Sequence, residues 1–527
     1  MNYIKLGKIL GKIMILESIL MLAPLAVAVI YKEGTRNILA FAIPIFLLTL
    51  IGSLLQIPKP KRNDLYQKEG FALTALVWLV MTLFGAIPFV INRDIPNYID
   101  SWFEIMSGFT TTGSSVITDI TVISHSSLFW RSFSHWIGGM GILVFVLIFI
   151  PESNDGSSMH LLRAESPGPQ VGKLVSKMKV TTRILYLIYL GMTAIEILIL
   201  YFGPLTDYNA MVEALGEPMA TDYHNDKLFN ALLASFGCAG TGGFGFIPGS
   251  MENFTPFAQY VMSIFLILFG VNFSLYYLIL IGKIGQVFKS EEFRSYFLIV
   301  ILAVGFVFLS LTGRFESFPQ DYTTEEAFRH SLFQVASLVS TAGFTTTDYN
   351  LWPMIGKTSL LFVMFTGAMA GSTAGGIKIS RIVIAVKGAM VNIRKLINPR
   401  YVPKSKFEGK PLEERTTNDV FSFITLYFFL LIGVTFLLSF DPINGQAVRI
   451  VSDGGEYVET HGFFSNFSAT VVCLSNVGPA FEALGPYSSF AGFSWFSKVL
   501  LTLTMMIGRL EILPVLILFN RKTWQKT

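Results

Sequence analysis

Apolar residues in this chain fall into long runs separated by polar stretches. Runs at 13–31, 38–56, 70–91, 127–150, 183–203, 257–282, 296–313, 357–388, 418–439 and 495–519 are long enough to span a bilayer. Crossing needs about 30 Å of hydrocarbon at ~1.5 Å per helical residue. Four other runs, 99–111, 225–240, 325–340 and 462–475, are too short to cross. After the initial pair, the order long–short–long occurs four times. It predicts an all-α integral membrane fold: an N-terminal helical hairpin, then four helix–half-helix–helix repeats in a pseudo-fourfold, channel-like arrangement. The expected units are 1–62 for the hairpin, 63–160, 161–290, 291–400 with a broken second helix, and 401–527.

Each short run leads into a glycine. Thr110-Thr111-Thr112-Gly113, Gly240-Thr241-Gly242-Gly243, Ser340-Thr341-Ala342-Gly343 and Ser475-Asn476-Val477-Gly478 align as columns. Phe103, Leu233, Phe333 and Ser468 stand ten residues before each glycine. A pattern recurring at intervals of 100–135 residues is an internal repeat. A dehydrated cation needs oxygen ligands from several sides, and rings of backbone carbonyls supply them in channels. Aiming successive carbonyls at one axis requires backbone angles that glycine reaches without steric cost. Glycine in a membrane helix otherwise serves close packing. Four copies in the same topological slot favour an ion path. Each half-helix would end near the axis with its negative dipole end inward, attracting a cation.

Composition sharpens the class. The 527 residues are 52% hydrophobic and 14% charged, with mean hydropathy +0.58; soluble proteins carry about 25% charged residues. The net charge of +4 is small and says nothing about nucleic acid, and no nucleic-acid partner is expected. Cys238 and Cys473 share one repeat column and read as small buried hydrophobes. Lys5, Lys8 and Lys12 precede the first apolar run as in a signal peptide. The run continues past Ala26-Val27-Ala28, so an uncleaved first span is expected. Basic residues gather in one set of connections: Lys59, Lys61, Arg62 and Lys68; Arg163 to Lys179; Lys283, Lys289 and Arg294; Arg394 to Lys410; Arg521 to Lys526. Acidic residues gather in the other: Asp207 to Asp226, Glu316 to Glu326, Asp441 to Glu459. Lys and Arg concentrate on the cytoplasmic side. Both termini are therefore expected inside, with the short runs dipping in from outside.

Two further features carry chemistry. The run 357–388 exceeds the length of a span, and its middle, Thr366 to Gly376, is small and weakly helical. Gly367, Gly371 and Gly375 fit small-xxx-small packing. The excess length and the Gly375-Gly376 pair instead favour a break, with a loop beneath the glycine stretches. Lys378 and Arg381 follow it. It is not a phosphate-binding loop, because Gly371 to Lys378 lacks the Gly-Lys-Ser/Thr ending. Arg509 lies inside an apolar run and is read as a fixed charge at the inner pore, or as an arginine snorkelling to the interface. Glu196 reads as a coupling-ion site or, preferably, a bonded interhelical carboxylate. His125 and His135 read as interhelical hydrogen bonders.

These residues resemble the Trk/Ktr/HKT family of potassium transporters. Thr-Thr-Thr-Gly in the first unit, Thr-Ala-Gly-Phe-Thr-Thr-Thr in the third and Ser-Asn-Val-Gly-Pro in the fourth carry the likeness, which covers nearly the whole chain. The N-terminal hairpin and the length look like the TrkH branch. The resemblance implies bound, transported potassium, with no organic cofactor. It implies a filter lined by Thr111, Thr112, Gly113, Thr241, Gly242, Gly243, Thr341, Ala342, Gly343, Asn476, Val477 and Gly478. It also implies gating at Gly367, Gly371, Gly375, Gly376, Lys378 and Arg509. Further implications are a homodimer, a cytosolic TrkA-type nucleotide-binding subunit against the basic face, and a bacterial cytoplasmic (inner) membrane location. Gly240-Thr241-Gly242-Gly243 is richer in glycine than the family form, which leaves its carbonyl register open.

The expected function is gated potassium uptake, channel-like or as symport. The alternatives are the channel subunit of a potassium pump, or an integral-membrane enzyme such as a lipid or glycosyl transferase. Such enzymes cluster acidic metal ligands at the membrane face, whereas the acidic loop residues here are scattered.

Overall fold

The computed structural model describes residues 2–58, 67–141, 178–314, 322–400, 406–452 and 455–524. An N-terminal pair, Tyr3–Leu20 with Leu22–Ile30 and then Thr35–Leu54, precedes four helix–half-helix–helix units. Unit one comprises Gln67–Gly85 with Ile87–Asn92, the half-helix Tyr98–Phe109, and His125–Gly139. Unit two comprises Met178–Phe202, Lys227–Gly240, and Pro256–Phe269 with Phe273–Leu280. Unit three comprises Glu291–Leu311, Thr324–Val339, and Met354–Thr366 with Ile379–Ile397. Unit four comprises Glu414–Leu438, Phe463–Ser475 and Trp495–Arg509. Among the described residues, six helices are long and apolar enough to cross a membrane, or seven if the bent pair of unit two is one span. They leave large apolar side chains exposed, among them Phe202, Phe429, Ile432 and Phe436. Acyl chains suit such a surface and water does not.

Local chemistry sets the breaks. Pro24 lacks an N–H and its ring crowds the Leu20 carbonyl, so the first helix is interrupted at Met21. Pro88 does the same at Ala86. The hairpin closes because Gly11 and Gly52 bring two backbones together. A Cβ on Gly52 would stand 2.7 Å from Gly11 O and 2.8 Å from Ile15 Cγ1. Between the first helix and the half-helix of unit four, an antiparallel hairpin pairs Ala447–Ser452 with Gly455–Thr460.

The second helix of every unit ends or bends within the expected span, where continuous apolar runs predict uninterrupted spans in units one, two and four. The unit-one helix ends at Gly139, and Gly141 is left-handed at φ 85°. The unit-two pair bends by 93° at 270–272. Unit three has no helix over 367–378. The unit-four helix stops at Arg509, and Glu511 and Ile512 turn left-handed at φ 56° and 69°. Apolar composition reports transfer into lipid and not helix continuity, so only the glycine-dense break was legible. Residues 142–150 of the expected unit-one span, and connection 151–182 as far as 177, lie outside the described residues.

Gly52→Leu is expected to overpack the hairpin by about 1–3 kcal/mol and to lower the unfolding midpoint in detergent. Gly305→Ala, where an added Cβ meets nothing within 4 Å, should hold or raise it. Equal midpoints for the two variants would refute the close crossing.

Candidate functional site

All four half-helices end the same way. The amides of Thr112, Gly242, Ala342 and Val477 donate to the carbonyls of Ser107, Gly237, Ser337 and Val472, at 2.8, 2.9, 2.8 and 2.9 Å. This is the backbone bonding of a Schellman end, reached through a left-handed residue just past the helix. That residue is Thr111, Thr241, Thr341 or Asn476, with φ of 56°, 54°, 60° and 57°. Asparagine tolerates the conformation, whereas for a β-branched threonine it is a true outlier. Strain of this kind costs roughly 1–3 kcal/mol and persists only where the surroundings enforce it. Each threonine hydroxyl is engaged: Arg509 Nη1 donates to Thr111 Oγ1 at 3.2 Å, Gly375 N to Thr341 Oγ1 at 2.7 Å, and Thr241 Oγ1 to Gly240 O at 2.7 Å.

Two residues on, the chain turns left-handed again at Gly113, Gly343 and Gly478, with φ of 86°, 89° and 107°. Sign alternation in φ points successive carbonyls the same way, as an oxygen-lined path requires. In unit two Gly243 is not left-handed, so the stretch with the extra glycine follows a different backbone.

The stretches meet in a closed ring. A Cβ on Gly113 would stand 3.0 Å from Gly243 N; one on Gly243, 2.5 Å from the Gly343 carbonyl carbon; one on Gly343, 2.7 Å from Pro479 Cδ; one on Gly478, 2.8 Å from Thr112 O. The order one–two–three–four–one returns to its start. Ser114 Oγ donates to Gly478 O at 2.8 Å, and Asn476 Nδ2 to Thr112 Oγ1 at 2.9 Å, sealing the joint between units four and one.

Beneath the ring lies the loop 367–378. Gly367 packs on the Gly376 Cα, so the loop folds back on itself, and Gly375 sits against Ser475 and Asn476. Gly371 is farther off, against the Asn272 side chain at the unit-two bend. Met369 N donates to Gly270 O at 3.2 Å, and Phe273 N to Gly371 O at 3.0 Å. Lys378, left-handed at φ 79°, turns its ammonium back onto Ala374 O. Arg509 joins loop to ring. Besides Thr111 it donates to Thr373 O at 2.8 Å, Gly138 O at 2.5 Å and Gly139 O at 2.7 Å. The last two are end carbonyls of a helix that stops inside the protein, where a cation is favoured. Arg381 pairs with Glu511 and lies 4.1 Å from the Phe423 ring centroid.

The remaining polar residues divide. His135 accepts Phe244 N–H at Nε2 (3.4 Å) and donates from Nδ1 to Gly108 O at 2.8 Å. His125 stacks on Tyr31 at 4.3 Å and pairs with Asp226 at 3.4 Å. Both therefore bond between elements. Glu196 is fully buried and no described nitrogen or oxygen donor reaches its carboxylate, but the Cys238 thiol of Lys227–Gly240 does, so it bonds between helices as expected, through sulfur. Cys238 and Cys473 are buried free thiols.

One pair went unread in the sequence. Glu104, on the first half-helix, and Arg131 are buried and bonded at 2.8 Å. Glu104 also accepts Val116 N at 2.8 Å, while Arg131 donates to Gly245 O at 3.0 Å and covers the Phe244 ring at 4.2 Å. The pair buckles the exits of stretches one and two. A carboxylate and a guanidinium in neighbouring apolar runs were the available signal.

A family model described as TrkH, a cation transport protein, matches residues 37–526. The Trk system potassium uptake protein TrkH of Salmonella typhimurium is 31% identical over 532 residues, covering 100% of both chains. The Trk system potassium uptake protein TrkG of Escherichia coli is 29% identical, over 98% of this chain and 97% of its own. The crystal structure of the potassium transporter TrkH from Vibrio parahaemolyticus matches all of both chains with a TM-score of 0.81 at 28% identity.

Removing one partner of the Glu104–Arg131 pair leaves a buried charge, at a cost of about 3–5 kcal/mol. Glu104→Leu and Arg131→Met should each be strongly destabilising, and the double variant less so than their sum. Detergent unfolding of all three reads this, and strict additivity would refute the pairing.

Proposed function

The chain belongs to the TrkH family of cation transport proteins, and from that premise we propose that it takes up potassium across a bacterial cytoplasmic membrane. One observation carries the reading: four glycine stretches close a ring with Schellman-ended half-helices behind them. Three of the four present φ of alternating sign to the centre. Potassium would exchange its water shell for the carbonyls of Thr111 to Gly113, Thr241 to Gly243, Thr341 to Gly343 and Asn476 to Gly478. Four half-helix C-termini add negative potential without a buried formal charge. One charge entering down 100 mV gains about 2.3 kcal/mol, so uptake needs no covalent cycle and the chain is no enzyme. A second cation in symport is compatible with the same path.

The loop 367–378 would be the gate. It lies beneath the ring and is held by Arg509 at Thr373 O and by Thr341 at Gly375 N. The basic connections, including Lys283, Lys289, Arg394 and Lys395, would face the cytosol with both termini. That face would seat a TrkA-type nucleotide-binding subunit, and two copies of the chain would form the working homodimer. Ligand control then comes from the partner.

Rubidium uptake into proteoliposomes tests the path. Gly343→Asp fills the ring and should abolish uptake; unchanged counterflow would remove the filter assignment. Arg509→Ala, or deletion within Gly367–Gly376, should raise basal flux several-fold. Arg509→Lys should not restore closure, since a point donor cannot serve four acceptors. Basal flux at the wild-type level in all three, with folded protein, would sink the gate.

A further inference from the structure

Two carboxylates connect the loop in series to a hairpin on the far side of unit three. Glu292, almost fully buried, stands in the first turn of Glu291–Leu311. Its Oε1 accepts Ala370 N at 2.7 Å and Ser380 N at 3.1 Å. Those amides flank the loop segment 371–378. Ser380 lies in the first turn of the resumed helix Ile379–Ile397, where amides lack intrahelical partners and an anion is favoured. One oxygen thus pins both ends of the segment that runs beneath the ring.

The second carboxylate holds the first. Glu408 Oε1 accepts Glu292 N at 3.0 Å and Ser290 Oγ at 2.8 Å, capping the N-terminus of Glu291–Leu311 from 116 residues away. Glu408 and Gly409 are the left-handed corner, φ 49° and 74°, of a two-residue turn joining Lys406–Phe407 to Lys410–Pro411. The hairpin is lightly attached: Phe407 packs with Ile384 and Val420, and Lys387 pairs with Glu291 while donating to Lys406 O at 2.6 Å. It lies in the basic connection between units three and four.

We propose that Glu292 is the positioning residue that keeps the loop folded beneath the ring, and that Glu408, at the turn of the hairpin 406–411, holds Glu292 in place to do so. Lifting the hairpin withdraws Glu408 from the helix N-terminus. Glu292 then loses the fixed backbone that aims it at Ala370 and Ser380. The proposal rests on the gating reading above.

Rubidium uptake is measured for Glu292→Ala, Glu408→Ala, their double variant and a loop-shortened chain, each in proteoliposomes. Glu292→Ala and Glu408→Ala should each raise basal uptake several-fold, with the rubidium-over-sodium preference unchanged. The double variant should leak no more than the leakier single. Glu292→Gln, which retains an acceptor oxygen, should fall between wild type and Glu292→Ala. If Glu292→Ala does not fold, Glu408→Ala and Lys387→Met decide, since both loosen the hairpin at half-buried positions. A loop-shortened chain that leaks while the glutamate variants stay tight overturns the latch and spares the gate. A loop-shortened chain that stays tight overturns both. Additive leakage in the double variant separates the glutamates and overturns the series connection.

Discussion

The structure depends on one constraint: a backbone polar group inside hydrocarbon must find its partner within the protein. An unsatisfied amide or carbonyl there costs several kcal/mol. On the proposed reading, a ring of carbonyls facing an axis departs from that rule, because its partners would be ions. Everything around the ring restores satisfaction elsewhere. The Schellman ends consume the amides that follow each half-helix. Arg509 consumes the carbonyls that the unit-one helix leaves exposed at Gly138 and Gly139. The interrupted second helices are tolerable for the same reason: their ends lie against one another and not against lipid.

That constraint also explains the left-handed threonines. Glycine would adopt the conformation without strain, and all four ring positions carry it, three of them left-handed, yet none of the left-handed corners that precede them is glycine. A threonine at the corner costs backbone strain but supplies a hydroxyl inside a dry site. At Thr111 and Thr341 that hydroxyl meets Arg509 and the loop amide of Gly375. The corners are therefore where ring and loop are joined, and the units that carry those joints are one and three. Asn476 does the analogous work sideways, to Thr112. The fourfold pattern is kept in the backbone of the half-helix ends, departed from at Gly243, and broken in the side chains.

The legible part of the sequence was the part written in backbone angles. Glycine columns betray positive φ, and short apolar runs betray half-helices, because few residue choices satisfy either demand. The interruptions at Gly139, 270–272 and Arg509 were hidden, since valine, leucine and methionine on both sides partition into lipid whether or not the helix continues. The charged residues were hidden differently. Arg509 stands deep in a run and drew notice; Glu104 and Glu292 sit within a turn or two of a helix start, where a carboxylate reads as an ordinary N-terminal anion. Glu196 is legible as an interhelical carboxylate, but its partner, the Cys238 thiol, is not, because that depends on which face of Met178–Phe202 meets Lys227–Gly240.

The loop's attachments fix how it could move. Met369 and Gly371 bond to the unit-two bend, Thr373 to Phe269 O and to Arg509, Gly375 to Thr341, and Ala370 to Glu292. These anchors belong to different units, so the loop cannot leave by a local rotation; its partners must let go together. At a net ~1 kcal/mol for each such bond, six of them amount to roughly 6 kcal/mol. Moving a two-state element from 1:99 to 99:1 takes about 5.5 kcal/mol. On the gating reading, a partner that spent its binding on the open form by that amount would suffice to empty the space beneath the ring. The same sum explains why a short, glycine-dense segment of intrinsically poor helical tendency can nonetheless stay folded there: its order is imposed from outside, by neighbours that have their own unmet carbonyls and amides to satisfy.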